Sequence, residues 1–186
     1  ERYSSKFDVR HQFSERVNIQ NSLNLSFTEQ DGALEGAGYF GNPALARNFM
    51  TPMKDAYDAD GNPAALPGLH NPLKIAEESI DQKRYARLIN STNFKIQLAP
   101  NLNLQQRIGI DYLLAKEKYF DDRFYGDGDD DLGRVYDYVN NNSRLTSLTS
   151  LSHVYSINSN NTLTSTVLAD IQKNWRYSVL AGGLGL

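Results

Sequence analysis

The sequence predicts an all-β protein of about six long antiparallel strands. Three observations predict it. Polar and apolar residues alternate with period two through successive runs of the chain. The runs pair through short turns near residues 15, 100 and 159, whereas roughly 30–83 and 120–138 form much longer connections. Each run is roughly 12–16 residues, against the ~5–6 usual in soluble sheets.

The first hairpin is the cleanest. Tyr3, Phe7, Val9, His11 and Phe13 alternate with Arg2, Ser4, Lys6, Asp8, Arg10 and Gln12. After the turn Ser14-Glu15-Arg16, Val17, Ile19, Leu23, Leu25 and Phe27 continue the apolar set, and Asn21 is the polar intruder on that face. In the second hairpin Leu88, Thr92, Phe94, Ile96 and Leu98 oppose Arg87, Ser91, Asn93, Lys95 and Gln97. Pro100-Asn101 turns the chain, because proline cannot continue a central ladder. Leu102, Leu104, Ile108, Ile110 and Tyr112 then alternate with Asn103, Gln105, Arg107 and Asp111. The third hairpin is noisier on its first arm, 143–157, where Leu145, Leu151, Tyr155 and Ile157 share a face but Leu148 and Val154 fall on the other. Asn158-Ser159-Asn160-Asn161 is strong turn chemistry. Leu163, Val167, Ala169 and Ile171 follow, and the alternation runs on through Trp175, Tyr177 and Val179.

The long connection carries two helix starts. Asn42-Pro43 and Asn71-Pro72 each place an N-cap before a proline at the first helical position. The first helix should stop before Pro52 and the second near Ser79. Asp58 to Pro63 reads as a turn.

The polar face carries Arg, Lys and Asp and must meet water; the apolar face must meet something apolar. A soluble sandwich satisfies both, and so does a water-filled barrel in lipid. Strand length, short turns confined to one end and aromatic residues near strand ends favour a transmembrane barrel. Six strands are too few to close one, since ~8 is the smallest bacterial case. The chain begins inside an alternating run at Glu1 and stops at Leu186 without a clear end, so it reads as a piece of a longer protein.

Composition narrows the function classes. There are 19 Lys and Arg against 22 Asp and Glu, a net charge of −3, so no basic field attracts nucleic acid. With no cysteine, disulfides, thiolate metal sites and a cysteine nucleophile are excluded. Asp127, Asp129, Asp130 and Asp131, with Asp121 and Asp122 before them, open like a calcium loop, but Leu132 stands where glycine is needed and no glutamate closes it. A solvated acidic tip is the preferred reading, as a turn is for Asp58, Asp60 and Asn62. His11, His70 and His153 have no metal-pair spacing. His11 is expected at an interface and His70 in a loop contact. No nucleophile elbow supports a Ser/His/Asp triad, and Gly126-Asp127-Gly128 and Gly182-Gly183-Leu184-Gly185 are not phosphate loops. The glycines after Ala181 read instead as bends or close approaches in a strand. No catalytic, cofactor or metal residue is assigned, and no substrate-binding residue can be named.

The order of these segments resembles SusC/RagA-type TonB-dependent transporters of Bacteroidota. The resemblance runs over most of 1–172: the hairpin Phe7 to Phe27, the loop with Pro52-Met53, Tyr57 to Gly61 and Asn71-Pro72-Leu73, then Arg84-Tyr85 with Asn90, and Asn101 to Tyr112. It implies that 1–186 is part of a barrel of 22 strands, with 30–83 and 120–138 as extracellular loops. It further implies an outer-membrane location in a Gram-negative cell and TonB-driven import of oligosaccharides or peptides. The implied partners are TonB and a SusD-like surface lipoprotein. The TonB box, plug and C-terminal strand of that family are not among these residues. A structural or secretion-associated barrel, or a soluble glycan-binding β-sandwich, is the alternative.

Overall fold

The computed structural model describes all residues except 33–41, 65, 67–69, 125, 129–130 and 186, and residue 127 by its backbone alone. Six strands form one antiparallel sheet in chain order: β1 (Arg2–Ser14), β2 (Val17–Gly32), β3 (Ile80–Ala99), β4 (Leu102–Asp121), β5 (Arg134–Asn158) and β6 (Asn161–Leu184). Two short helices, α1 (Pro43–Ala46) and α2 (Pro72–Glu78), lie between β2 and β3. No described helix is long and apolar enough to cross a membrane, which says nothing of strands.

The strands outrun the alternation seen in the sequence. β2 continues to Gly32, β3 starts at Ile80 and β5 already starts at Arg134, so the long connections contract to 33–79 and 122–133. The register aligns the apolar sets across the whole sheet. One row reads Phe7, Leu23, Asn90, Ile110, Leu145, Lys173. It also settles the noisy arm: Leu145 and Leu151 pair with Ile110 and Leu104, whereas Leu148 pairs with Arg107 on the polar face. The intruder Asn21 is satisfied across strands, its Nδ2 donating to Thr92 Oγ1 at 2.7 Å and to Asn90 Oδ1 at 3.3 Å.

The three short connections share one construction. Each joins its strands through two residues and is preceded by a bulge, between Gln12 and Ser14, Gln97 and Ala99, and Ser156 and Asn158. The bulged residues are Phe13, Leu98 and Ile157, all on the apolar face and all exposed. Bulges before turns tighten the local twist and end the pairing. Asn158 Oδ1 accepts from Asn160 N at 3.0 Å and from Asn161 Nδ2 at 3.0 Å, the polar closure that the Asn-Ser-Asn-Asn run implies. Successive turns also step along the sheet: β3 runs from Ile96, opposite Val17, on to Ala99, and β5 from His153, opposite Leu102, on to Asn158. This stagger is what tilted barrel strands require.

No second sheet covers the apolar face among the described residues, and Phe7, Val167 and Ile171 are more than half exposed on it. The sandwich alternative needs that second sheet. The fold is therefore an open stretch of β-barrel wall. At its far end Gly182 lies against Tyr136; a Cβ there would come within 2.5 Å of the ring, the close approach expected of these glycines.

The long connection has a small core of its own. Asn42 Oδ1 accepts from Ala44 N at 2.9 Å and caps α1; Asn71 Oδ1 accepts from Leu73 N at 3.0 Å and caps α2. Asn71 is also buried, and its Nδ2 donates to Ala56 O at 2.9 Å and Ala64 O at 3.0 Å. One amide thus caps a helix and pins two loop carbonyls beside the buried Ile75 and Ala46. Asn71→Ala loses the cap and leaves both carbonyls without this donor, a local cost of roughly 1–3 kcal/mol. Faster proteolysis of 42–79 with unchanged protection of β3 and β4 is the expected result.

Candidate functional site

The polar face is the chemically rich surface of this chain. By register it presents ten Arg and Lys: Arg2, Lys6 and Arg10 on β1, Lys83, Arg87 and Lys95 on β3, and Arg107, Arg134, Arg144 and Arg176 on β4 to β6. Six carboxylates share it, Asp8, Asp81, Asp111, Glu117, Asp121 and Asp170. The face is thus positive in a chain whose net charge is −3. The excess acid sits in the long connections.

Three zones follow from the partners. In the middle of the sheet, Arg87 grips Asp111 through two parallel bonds, Nε to Oδ1 at 2.9 Å and Nη2 to Oδ2 at 2.7 Å. Arg144, opposite Asp111, donates to Asn174 Oδ1 at 3.1 Å, and Arg176 donates to Asn140 Oδ1 at 3.3 Å. These pairs tie β3 to β4 and β5 to β6, and Asp111 and Arg144 face each other in the register between them. Lys6 pairs with Asp8 at 3.1 Å in full exposure, where such a pair contributes little.

Toward the short turns the pattern changes. Arg10, Gln20, Asn93 and Arg107 share one row, and Lys95 lies in the next, opposite Asn18 and Gln105. Gln105 Nε2 donates to Asn93 Oδ1 at 2.9 Å. Among the described residues no carboxylate lies within ion-pair distance of Arg10, Lys95 or Arg107, and all three are exposed.

At the long-connection end a buried clasp closes the sheet. Asp121 is almost wholly buried and accepts from Arg134 Nε at 2.9 Å, from Arg134 Nη2 and from Tyr119 OH at 2.9 Å. Arg134 Nη1 also reaches Asp131 Oδ2 at 3.3 Å. Burial pushes the Tyr119 phenol well above the usual tyrosine range, and the adjacent Asp121 carboxylate pushes it further. Nearby Lys83 is held above the usual lysine range by its hydrogen bond to Asp81, at 3.2 Å. Gly128 packs directly under the clasp, since a Cβ there would sit 2.3 Å from Asp122 O.

The residues singled out in the sequence are now placed. His70 Nδ1 accepts from Gly126 N at 3.0 Å and joins the two long connections. His11 stacks edge-on against Phe13 at 4.3 Å, on the apolar face by the short turn. The Asp58 carboxylate accepts from Asp60 N at 3.0 Å and Asn62 N at 2.8 Å, closing the turn that the sequence implied. Of the second acidic run, Asp131 pairs with Arg134 and Asp122 accepts from Phe124 N at 2.8 Å, while 129, 130 and the Asp127 side chain lie outside the described residues. Leu132 takes the left-handed backbone (φ 55°) that a calcium loop gives to glycine. No group of metal-ligating side chains forms among the described residues. The Asp121–Arg134–Tyr119 clasp went unread in the sequence; its one signal was an acid and a base flanking the same loop.

No family model and no curated protein matches this chain. Solved structures similar to it include three of RagAB. One, of the RagAB peptide importer in the closed-closed state, aligns with a TM-score of 0.75 at 14% identity, over 99% of this chain and 21% of that one. The importer in the open-open state gives 0.75 at 14%, over 98% and 21%. A structure of the RagAB peptide transporter gives 0.72 at 13%, over 100% and 22%. The chain thus spans about a fifth of these neighbours, and at such identity the likeness is one of fold.

Proposed function

We propose that this chain is wall from an outer-membrane β-barrel importer of the SusC/RagA type, and that its cargo is peptide. The observation that carries this reading is a single sheet with one largely apolar face, one ionic face, and long connections at one end only. A wall between hydrocarbon and water needs that division. The unpaired backbone edges of β1 and β6 cannot stand in lipid, so the proposal pairs them with further strands of a closed barrel. The likeness to RagAB importers favours peptides over oligosaccharides as cargo.

On this reading the polar face lines a hydrated lumen and the connections 33–79 and 122–133 lie outside the cell. There they give docking surface to a surface lipoprotein. TonB supplies the energy through parts of the protein beyond this chain. The chain performs no bond chemistry: it holds a passage open, and pairs such as Arg87–Asp111 and Arg144–Asn174 brace adjacent strands of its wall.

The test uses the complete protein that carries this chain. Expected results are recovery in the outer-membrane fraction and, on deletion of its gene, slower growth on oligopeptides that the intact gene restores. Recovery in a soluble fraction would overturn the membrane assignment. Membrane recovery with normal growth on peptides and on oligosaccharides would favour a structural or secretion-associated barrel.

A further inference from the structure

We propose that the apolar side of the sheet, at its long-connection end, binds a phosphorylated glycolipid of the outer leaflet. Arg84 and Lys116 take the phosphate, and an acyl chain enters the apolar concavity below them. The inference goes beyond import and rests only on the membrane part of the reading above. By register this side of the strands carries four Lys and Arg: Arg84, Lys116, Lys118 and Lys173. Three of them stand together on β3 and β4, and all three are exposed. Arg84 and Lys116 are direct cross-strand partners, and nowhere else in the six strands do two cations stand opposite one another. Like charges so placed destabilise a sheet, and an anion held between them turns the repulsion into attraction. Glu29 lies beyond Arg84 and accepts from its Nε at 2.7 Å. Beyond Lys116 the neighbour is Val139. Lys118, in the next row out, stands between Gln82 and Asp137 and makes no ion pair with that acid. Gln82 donates to Asp31 Oδ1 at 2.9 Å.

Directly below the cations the same side turns apolar. Ala86 and Leu114 form the next row, and Leu88 and Tyr112 the one after. Small side chains at Ser5 and Ala86, among Tyr3, Phe27, Leu88 and Tyr112, leave a concavity of about 410 Å³. Arg84 lies two residues along β3 from Ala86, a rise of ~6.5–7 Å toward the long connections. The sequence of environments along the strands is hydrocarbon slot, aromatic side chains, then cations. A phosphorylated lipid presents the same sequence: chain, linkage region at the level of aromatic belts, then phosphate. Charge-assisted bonds from Arg and Lys suit that phosphate. A free phosphate lacks the chain and a neutral lipid lacks the phosphate, so the two-part site selects a molecule carrying both. With the long connections outside the cell, the site lies in the outer leaflet, where the lipid of an outer membrane is a phosphorylated glycolipid.

The complete protein in detergent is titrated with lipid A, with the same lipid stripped of its phosphates, and with phosphatidylglycerol. Native mass spectrometry reads the lipid retained. Lipid A is expected to bind roughly tenfold more tightly than either comparison lipid. In R84Q/K116Q its affinity is expected to fall roughly tenfold, to that of the stripped lipid. Lys116→Gln alone, which leaves the Arg84–Glu29 pair in place, is expected to give a clear part of that loss. Ala86→Phe fills the concavity and is expected to weaken lipid A and the stripped lipid alike. Lys173→Gln removes the cation of this side that lies apart, on β6, and is expected to change nothing. Lipid A binding that survives R84Q/K116Q overturns the proposal. A loss confined to the double variant overturns it too, because the Arg84–Glu29 pair is then what matters. So does an equal loss in Lys173→Gln or equal retention of phosphatidylglycerol, either of which makes the cations a general anionic belt. Retention of no lipid by the unaltered protein also overturns it. Each of these results leaves the membrane assignment standing, whereas recovery of the protein in a soluble fraction overturns both.

Discussion

Replacing Ile108 by arginine is expected to cost roughly 2–4 kcal/mol of folding free energy in a bilayer, whereas Leu98→Arg is expected to cost roughly 0–1. Both residues lie on the apolar face and both are exposed in the sheet. They differ in depth. Leu98 is the bulged residue beside the Pro100 turn, where a long cation reaches water readily. Ile108 lies well inside β4 between that turn and Tyr112, with Thr92 and Ser147 as cross-strand neighbours and no acid beside it. Ser91→Arg, in the neighbouring row but on the polar face, is the control and is expected to change stability little. The measurement is a urea titration of the complete protein folded into vesicles. Equal costs at Ile108 and Leu98 would sink the lipid assignment, because packing against a second protein layer has no gradient with depth. A steep gradient with a silent Ser91→Arg is the signature of hydrocarbon on one side and water on the other.

The sheet was legible because its two faces repeat every second residue. Both helix caps were legible for an equally local reason, since Asn-Pro fixes a cap and a first helical φ within two residues. The same locality explains what alternation alone misplaced. Beyond Phe27 both parities become polar, and beyond Tyr112 the run Leu113-Leu114-Ala115 puts apolar residues on both, so the pattern fades although the ladder continues to Gly32 and Asp121. That is why 30–83 and 120–138 contracted to 33–79 and 122–133. Asn21 looked like an error in the apolar face until β3 brought Asn90 and Thr92 beside it. The Arg87–Asp111 and Arg144–Asn174 pairs join residues 24 and 30 apart on neighbouring strands, so no local stretch of sequence contains them.

Arg134→Met is expected to release the long-connection end of the sheet, at a cost of roughly 3–5 kcal/mol, because it strands the Asp121 carboxylate in a site that excludes water. The Asp121 side chain is 2% exposed and that of Arg134 22%, so solvent screens the pair weakly. The double replacement D121L/R134M removes both charges and is expected to recover much of the loss, since an apolar pair of similar bulk has no ion to desolvate. Hydrogen exchange across 117–136 in the complete protein reads the outcome, with β3 below Leu88 as the internal standard. Equal exchange in the single and double variants would show that the clasp acts through packing alone. The clasp also predicts an alkaline limit. Tyr119 lies beyond Tyr112, outside the proposed spanning segment, and burial raises its phenol above the ordinary tyrosine value of ~10. A raised acid contributes stability in full below the unfolded value and loses it as pH climbs through the folded one. Protection at this end should therefore hold through neutral pH and fall progressively once pH climbs past ~10. Tyr119→Phe should remove that alkaline step while leaving the Arg134–Asp121 pair in place. An unchanged step in that variant would assign the titration to another group.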